Sequence, residues 1–364
     1  MLVYQPIDGG VGRHIRDVTE GLAGRGHEVV LCGPSPPEGL AELPPRARHV
    51  FLDLDRAIAP RADLTALRRL AAIARHVRPD VIHAHSSKAG ALARLGRILQ
   101  PRTPVAYTPH GYAFAGFFSS ERERRRYREI ERALAPLATR VVCVCEAEAR
   151  LAGTVGSKRR VRVVHNGIEA AGAGPIDTRM AELRRSGPVL CVLTLLRAGK
   201  GIETLIDAAP SLLARHPRLQ VAIWGDGPER EDLRSRAARA GVEGCVHFLG
   251  PNRDPLSVLR GADMLVHPSL AEAFPYVILE AMSVARPIVA SDVGGISEAL
   301  THEEGGLLVP PGDAASLAVA VSGLLDDPER MARMGAAGRL RAEGQFSRAA
   351  MIDRLTGVYS EMTG

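Results

Sequence analysis

The sequence predicts an α/β protein made of two doubly wound domains, and three observations support that prediction. The chain has 364 residues, more than one hydrophobic core usually organises. Apolar, strand-like runs alternate with helical patterns from end to end, which is typical of parallel sheets. A stretch rich in Gly and Pro at 169–175 interrupts the alternation and is interpreted as a linker. We therefore expect domains at 1–170 and 171–345, followed by a C-terminal helix at 346–364.

The first half opens with a strand at 2–4, a glycine turn at 9–12 and an amphipathic helix. Apolar residues recur every three or four positions from Val11 to Leu22, and Gly24 marks the end of the helix. Further strands are predicted at 29–32, 80–85, 104–107, 140–145 and 162–164.

The second half repeats the alternation of strands and helices. Strands are predicted at 189–193, 220–224, 246–249, 264–267 and 288–290, and helices at 202–213, at 276–285 and around Met351, Leu355 and Val358. Open parallel sheets bind ligands beyond the C-terminal ends of their strands. Two such domains predict an interdomain cleft in which one domain holds a nucleotide and the other an acceptor.

Composition narrows the class of protein. Net charge is +6 and the pI is near 9.3, so a phosphorylated substrate, an anionic lipid or nucleic acid could be attracted. Only 4% of residues are aromatic, which leaves few platforms for stacking bases, and no nucleic-acid partner is expected. No signal peptide and no long apolar stretch is visible, so a cytoplasmic location is expected.

Cysteine and histidine spacing gives no sign of a metal site. The five cysteines form no CxxC pair and lie in apolar runs, as expected of reduced thiols in a core. His83, His85 and His110 have no zinc spacing with any cysteine. Neither a metal nor a resident cofactor is therefore predicted.

The most informative motif is a pair of carboxylates, Glu272 and Glu280, with seven residues between them. Glu272 follows an apolar strand, and Glu280 lies in a helix that is apolar nearly all round and is therefore expected to be buried. A buried carboxylate needs polar partners, and ribose hydroxyls are suitable. The stretch 268–282 resembles the Glu-x7-Glu signature of retaining glycosyltransferases with the GT-B fold, two Rossmann-like domains, in particular glycosyltransferase family 4.

The resemblance implies roles for the residues around this pair. Glu272 would lie beside the donor sugar, and Glu280 would hold the ribose. The loop of Phe274, Pro275 and Tyr276 would offer backbone N–H groups to the sugar and diphosphate at a helix N-terminus. Pro275 lacks an N–H, so these contacts are expected to shift to its neighbours.

A second anion site is predicted at Arg197-Ala-Gly-Lys200-Gly201, a cation flanked by glycine at the start of a helix. It resembles the family's Arg…Lys-Gly element, whose cations neutralise the diphosphate. The family usually has its arginine five positions before the lysine, where Leu195 stands here. Arg197 either reaches the phosphate from another point or faces solvent.

Further donor contacts follow from the resemblance. Gly10 and Gly12 would lie near the donor phosphates, Gly225 would form a turn beneath the nucleotide, and Phe248 and Leu249 would border the base. The glycine turn is not GxGxxG, and no acidic residue closes the following strand, which disfavours a nicotinamide enzyme.

Histidines at strand ends in the first half are the remaining candidates. His110 follows the strand at 104–107 and matches a family histidine that contacts the donor sugar. His85 and Lys88, at the end of the strand at 80–85, are candidate contacts for the acceptor or for phosphate.

A charged segment suggests a membrane surface. Arginines and glutamates are mixed through 121–132, which usually indicates a solvated helix. Phe114, Phe117 and Phe118 precede it, and such an aromatic edge beside arginines could lie on an anionic membrane. A peripheral location at the inner face of the membrane would suit a lipid-linked acceptor.

The resemblance spans nearly the whole chain and implies a retaining, metal-independent glycosyltransferase. The donor would be a nucleoside-diphosphate sugar, and the acceptor a glycan or lipid in surface-polysaccharide, glycolipid or glycoconjugate biosynthesis. The C-terminal helix would pack back toward the N-terminal domain. Two alternatives remain open, a sugar-nucleotide 2-epimerase on the same fold and a non-catalytic sugar-nucleotide-binding module.

Overall fold

A computed structural model of the protein describes residues 1–40, 42–55, 57–116 and 120–364. These residues form two compact α/β units, one of Met1–Asn166 with Arg348–Gly364 and one of Gly167–Ser347. The sequence placed the first boundary a few residues later, at 170/171, and the second boundary slightly earlier, at 345/346. Residues 167–170 belong to the second unit because the backbone N–H of Ile168 donates to the carbonyl of Phe346 at 2.8 Å.

The N-terminal unit contains a seven-stranded parallel sheet in the order β3-β2-β1-β4-β5-β6-β7. Its elements are β1 (Leu2–Tyr4), α1 (Gly9–Gly24), β2 (Val29–Gly33), β3 (Ala47–Phe51), α2 (Pro60–Val77), β4 (Ile82–His85), α3 (Ser87–Leu99), β5 (Val105–Thr108), α4 (Glu121–Leu134), β6 (Arg140–Cys143), α5 (Glu146–Val155) and β7 (Val161–Val163). The strand order reverses between β1 and β4, and ligands bind at such a switch point in doubly wound sheets.

The C-terminal unit contains a six-stranded parallel sheet in the order β10-β9-β8-β11-β12-β13. Its elements are α6 (Thr178–Ser186), β8 (Val189–Leu193), α7 (Ile202–Arg215), β9 (Gln220–Trp224), α8 (Arg230–Arg239), β10 (Val246–Gly250), α9 (Pro255–Gly261), β11 (Met264–His267), α10 (Tyr276–Ser283), β12 (Ile288–Ser291), α11 (Ile296–Ala299), β13 (Leu307–Val309), α12 (Ala314–Leu325) and α13 (Pro328–Gln345). Here the order reverses between β8 and β11. The prediction of an α/β protein with two doubly wound sheets is confirmed.

The last helix, α14 (Arg348–Thr363), belongs to the N-terminal unit and packs on α1. Its buried face, which includes Ile352 and Leu355, joins the apolar core that α1 contributes to. Arg348 forms an ion pair with Glu20 of α1 at 2.6 Å. Among the described residues, no helix combines the length and the apolar character needed to cross a membrane.

The structure confirms one local prediction and corrects another. The glycine run at 9–12 opens α1 and forms its first turn, in which the N–H of Gly12 donates to the carbonyl of Asp8. Helix α10 ends at Ser283 instead of Ala285, because Ala285 adopts a left-handed backbone with φ of 55° and ends the helical path.

Candidate active site

The switch point of the C-terminal unit holds a largely buried ion pair. Lys200 follows β8 and Glu272 follows β11, so the two neighbouring strands deliver them to the same edge of the sheet. Lys200 Nζ donates to Glu272 Oε1 at 2.6 Å, and the side chains are 14% and 12% exposed. His267, the last residue of β11, lies with Nε2 at 3.2 Å from the same oxygen.

The ion pair keeps Glu272 in its charged form. Burial by itself would raise the pKa of Glu272, but the hydrogen bond from His267 and the nearby ammonium of Lys200 lower the pKa well below its usual range. The group at this switch point is therefore a carboxylate at neutral pH, bonded to one cation and one imidazole.

Two glycines let neighbouring loops pack closely against the loop that bears Glu272. Gly201 has φ of +65°, and a Cβ there would lie 1.9 Å from the carbonyl oxygen of Pro268. Gly294 has φ of +57°, and a Cβ there would lie 1.8 Å from the carbonyl oxygen of Glu272. Both positions therefore require glycine, and the Glu272 loop is held from both sides.

Helix α10 begins directly after this loop and carries the second carboxylate. Pro275 occupies the N-cap position in an extended conformation and gives no side-chain cap. Phe274 and Tyr276 are buried, and the Phe274 ring lies 5.4 Å from that of Phe346. Glu280 is only 6% exposed. The aromatic rings are thus used for packing, which leaves backbone groups for any donor contact.

The structure separates the two cations of the predicted phosphate site. Lys200 is bound to Glu272, whereas Arg197 is exposed. Leu195 is 52% exposed, and Leu196 between them is fully buried. Leu195 and Arg197 therefore both face solvent on either side of an anchored residue, and an arginine at position 195 would be as accessible as Arg197.

The remaining donor candidates of this unit lie along β9 and β10. Gly225 donates its backbone N–H to Gly250 at 2.8 Å. The carbonyl of Leu249 accepts a hydrogen bond from Arg179 at 2.9 Å. Phe248 and Leu249 line a cavity of about 330 Å³. These three candidates are brought to one edge of the sheet.

The switch point of the N-terminal unit holds four imidazoles. His85 Nδ1 lies 3.1 Å from His110 Nε2, and His83 contacts Tyr359 at 2.6 Å and Thr108. His14, which the sequence analysis did not single out, joins them from α1, with ring centroids 5.3 Å from His85 and 4.7 Å from His110. His14 shares the buried face of α1 with apolar residues, and a histidine in such a stripe is the signal that could have identified it.

All four imidazoles are held neutral. Burial lowers the pKa of His14 to about 4, even though Asn166 and Asp17 act in the opposite direction. Burial, with neighbouring imidazoles, also lowers the pKa of His83, His85 and His110 well below the usual value.

Three of these imidazoles, those of His14, His85 and His110, each place a ring nitrogen within 4.8 Å of one in the others. The sequence analysis considered His83 with His85 and His110 and found no zinc spacing. In the structure His14 completes the trio instead of His83, whose two ring nitrogens contact Tyr359 and Thr108.

The predicted acceptor residues belong to different hydrogen-bonded groups. His85 is fully buried within the imidazole cluster. Lys88, in the first turn of α3, is ion-paired with Asp63 of α2 and donates to the carbonyl of Ala57 at 2.5 Å. An acceptor that used Lys88 would therefore compete with Asp63.

Of the two glycines proposed near the phosphates, Gly10 is exposed at the N-terminus of α1, whereas Gly12 is buried. A Cβ on Gly12 would lie 1.9 Å from the carbonyl oxygen of Ile7. Close backbone packing explains why position 12 requires a glycine. Of the two glycines, only Gly10 is exposed.

Glu148, another residue that the sequence analysis missed, supports the loop of His110. His110 and Gly111 both have positive φ, 55° and 96°. The Glu148 carboxylate accepts the N–H of Gly111 at 2.5 Å and the N–H of Val144 at 2.9 Å. Burial raises the pKa of Glu148 to about 7 in spite of these bonds. Its place in the first turn of a helix that follows a strand is the sequence signal for it, a signal that Glu146 shares.

The prediction of an exposed aromatic edge before α4 is wrong for Phe114. This ring is 2% exposed and stacks on Tyr112 at 4.9 Å, because it fills the core beneath α4. Phe117 and Phe118 lie outside the described residues. The helix itself is mostly solvated, with pairs such as Arg124–Glu121 at 3.1 Å.

Two models of known protein families match the chain, one in each unit for most of its length. Residues 179–341 match the model described as glycosyl transferases group 1, and residues 8–171 match the model of glycosyltransferase family 4. The chain is 33% identical to a D-inositol 3-phosphate glycosyltransferase of Corynebacterium efficiens over 309 residues, 78% of this chain and 72% of that protein. It is 28% identical to a glycogen synthase of Mycobacterium tuberculosis over 388 residues, 98% of this chain and 92% of that protein.

Solved structures share the fold. Sucrose-phosphate synthase from Thermosynechococcus elongatus is 25% identical, with a TM-score of 0.83 over 97% of this chain and 93% of that one. Anabaena Alr3699/HepE, solved in complex with UDP and glucose, is 21% identical, with a TM-score of 0.83 over 99% of this chain and 98% of that one.

Proposed function

Because the chain belongs to the group 1 glycosyl transferases of glycosyltransferase family 4, with the GT-B fold, we propose that it transfers a sugar from a nucleoside-diphosphate sugar to an acceptor hydroxyl with retention of configuration. The observation that carries the proposal is the ion pair of Lys200 and Glu272 at the switch point of the C-terminal unit. The UDP complexes of Alr3699/HepE support a nucleotide donor.

In the proposed reaction Lys200 neutralises the departing diphosphate. The bond between the anomeric carbon and the phosphate oxygen breaks, and its electron pair leaves with the diphosphate. The acceptor oxygen forms its bond to the same face of the sugar, and its proton passes to a phosphate oxygen. Lys200 and the N-terminus of α10 stabilise the negative charge that develops on the leaving group.

The charged state of Glu272 fits this arrangement. A carboxylate bonded to Lys200 fixes the direction of the ammonium and can accept a hydroxyl of the donor sugar through its second oxygen. His267 holds the carboxylate from the other side. Glu272 is thus proposed to orient the sugar rather than to act as a nucleophile.

Glu280 is proposed to bind the ribose. Its place in a buried helix makes it a strong acceptor, so Glu280→Gln should weaken donor binding by about 1.5–3 kcal/mol. Glu329→Gln, on an exposed side chain of the same unit, is the matched control. Unchanged donor affinity in Glu280→Gln would remove the ribose assignment.

The experiment that tests the function is a screen of UDP-, GDP- and ADP-sugars by thermal shift, followed by a transfer assay. We expect one nucleotide series to stabilise the protein, and NMR of the product to show the anomeric configuration of the donor. Turnover is expected to persist in EDTA, because Lys200 supplies the positive charge. An epimer formed from the donor alone would identify a 2-epimerase, and binding without turnover a non-catalytic module.

The acceptor is proposed to be a glycan or a lipid-linked glycan. A lipopolysaccharide core glycosyltransferase of Rhizobium meliloti, LpsE, is 31% identical over 58% of this chain and supports that class. The exposed arginines of α4 favour peripheral association with an anionic membrane. Flotation with anionic vesicles, compared with neutral ones, tests this, and equal behaviour with both would exclude it.

A further inference from the structure

The imidazole cluster of the N-terminal unit has the composition of a metal site. His14 comes from α1, His85 from the end of β4 and His110 from the loop after β5, so three separate elements bring the rings together. One ring nitrogen of each lies within 4.8 Å of one in the others. We propose that His14, His85 and His110 form a binding site for a borderline-soft divalent ion such as Zn²⁺.

One distance in the trio is close to that of a tetrahedral zinc site. Zinc holds imidazole nitrogens at about 2.0–2.1 Å, which separates two ligand nitrogens by about 3.3 Å. His85 Nδ1 and His110 Nε2 are already 3.1 Å apart. A ring nitrogen of His14 lies within 4.8 Å of one in each of the other two rings, so His14 has to move closer to reach the same separation. Three neutral ligands then leave a fourth position open.

The hydrogen bonds around the trio favour coordination. His14 Nδ1 lies 3.0 Å from the side-chain oxygen of Asn166, and an amide oxygen accepts, so Nδ1 carries the proton and Nε2 the lone pair. Metal-binding histidines are usually oriented in this way through their other nitrogen.

His85 is fully buried, and its Nδ1 is the nitrogen that faces His110. An ion held between the two rings would take the lone pair of Nδ1 and leave the ring proton on Nε2. Burial also favours the neutral imidazole, the form that coordinates a metal.

His83 is a neighbour rather than a ligand. It stacks near His85, with ring centroids 4.0 Å apart, but its nitrogens contact Tyr359 and Thr108. It can fix the position of His85 without giving up those bonds.

The test measures Zn²⁺ binding to the full chain by titration calorimetry. We expect one site per chain, and at least roughly tenfold weaker binding in His14→Gln and in His85→Gln. His27→Gln and His76→Gln, on exposed imidazoles, are matched controls and should bind as the wild type does. No binding, or equal binding in all variants, would overturn the proposal. Weaker Zn²⁺ binding in the exposed controls would place the ion at the surface and would also overturn the proposal.

A measurement on the unaltered protein guards against variants that fail to fold. X-ray absorption at the zinc edge should show nitrogen or oxygen ligands alone, at about 2.0–2.1 Å, with the scattering pattern of imidazole. The chain has five buried cysteines, and a sulfur shell at about 2.3 Å would move the site to a thiol and overturn the assignment. Neither experiment depends on sugar transfer, so both are independent of the proposed function.

Discussion

The switch point of the N-terminal unit gathers four neutral imidazoles, whereas that of the C-terminal unit gathers a carboxylate, an ammonium and an imidazole. The two sites occupy the same place in sheets of the same winding. Both are buried, so burial penalises charge in both. In the C-terminal unit Lys200 offsets that penalty for Glu272, and the charge persists. In the N-terminal unit the rings avoid the penalty by remaining unprotonated.

The two sites should therefore be disturbed by different changes. The charged site should be sensitive to loss of a partner, and the neutral site to the addition of protons. A shared winding therefore fixes where polar side chains converge, while the partners of each side chain decide its charge.

Loss of one partner in the charged site should have the largest effect. Lys200→Met leaves the Glu272 carboxylate buried without its cation, and the free energy of unfolding should fall by about 3–5 kcal/mol. Urea denaturation followed through Trp224, the single tryptophan, reports on this unit. Arg197→Met, on the same loop but exposed, should change stability little. Equal effects of the two substitutions would show that the ion pair is not what holds the site.

Acidification should weaken the neutral site first. The folded-state pKa of His14, about 4, lies below the ordinary 6.5, so its contribution is complete above pH 6.5 and is lost as pH falls toward 4. The loss is about 3 kcal/mol for this ring. Wild type should lose that much more stability than His14→Gln between these pH values, as measured by hydrogen exchange of peptides from α1. Glu272, with its lowered pKa, should retain its contribution until pH falls below the ordinary carboxyl value.

Glu148 should oppose the acid sensitivity of its own unit. Its folded-state pKa of about 7 lies above the ordinary 4.5, so the folded protein binds an extra proton between these values and gains stability as pH falls. Glu148→Gln lacks that gain, and its deficit relative to wild type should be larger at pH 5 than at pH 7.5 by about 2 kcal/mol. The measurement is urea denaturation by circular dichroism at both pH values. A deficit that does not vary with pH would mean that Glu148 does not titrate.

The smallest effect concerns the phosphate side of the charged site. Leu195→Arg places a second exposed cation beside Arg197 and should tighten UDP binding about tenfold, or ~1.4 kcal/mol. Val319→Arg, on a similarly exposed apolar residue of α12, controls for added charge. If calorimetry gives equal affinities for Leu195→Arg and wild type, phosphate does not bind near this loop.

The sequence predicted the winding of both sheets and the position of the Glu272 loop, because alternating apolar runs and strand ends are local signals. It missed β3, where half-buried residues such as His49 give no apolar run. It also missed His14 and Glu148, whose roles depend on neighbours distant in the chain. The direct bond between Lys200 and Glu272 was not foreseen, because spacing along a chain says nothing about which charges meet across two loops.

The placement of α14 has a consequence for how the protein is made. Tyr359 contacts His83, and Arg348 and Asp353 pair with Glu20 and Arg25 of α1. These partners are separated by more than 270 positions along the chain. During synthesis the ribosome must therefore release the entire C-terminal unit before the N-terminal unit can acquire its last helix. The N-terminal unit, most of which emerges first, is therefore the last to complete its fold.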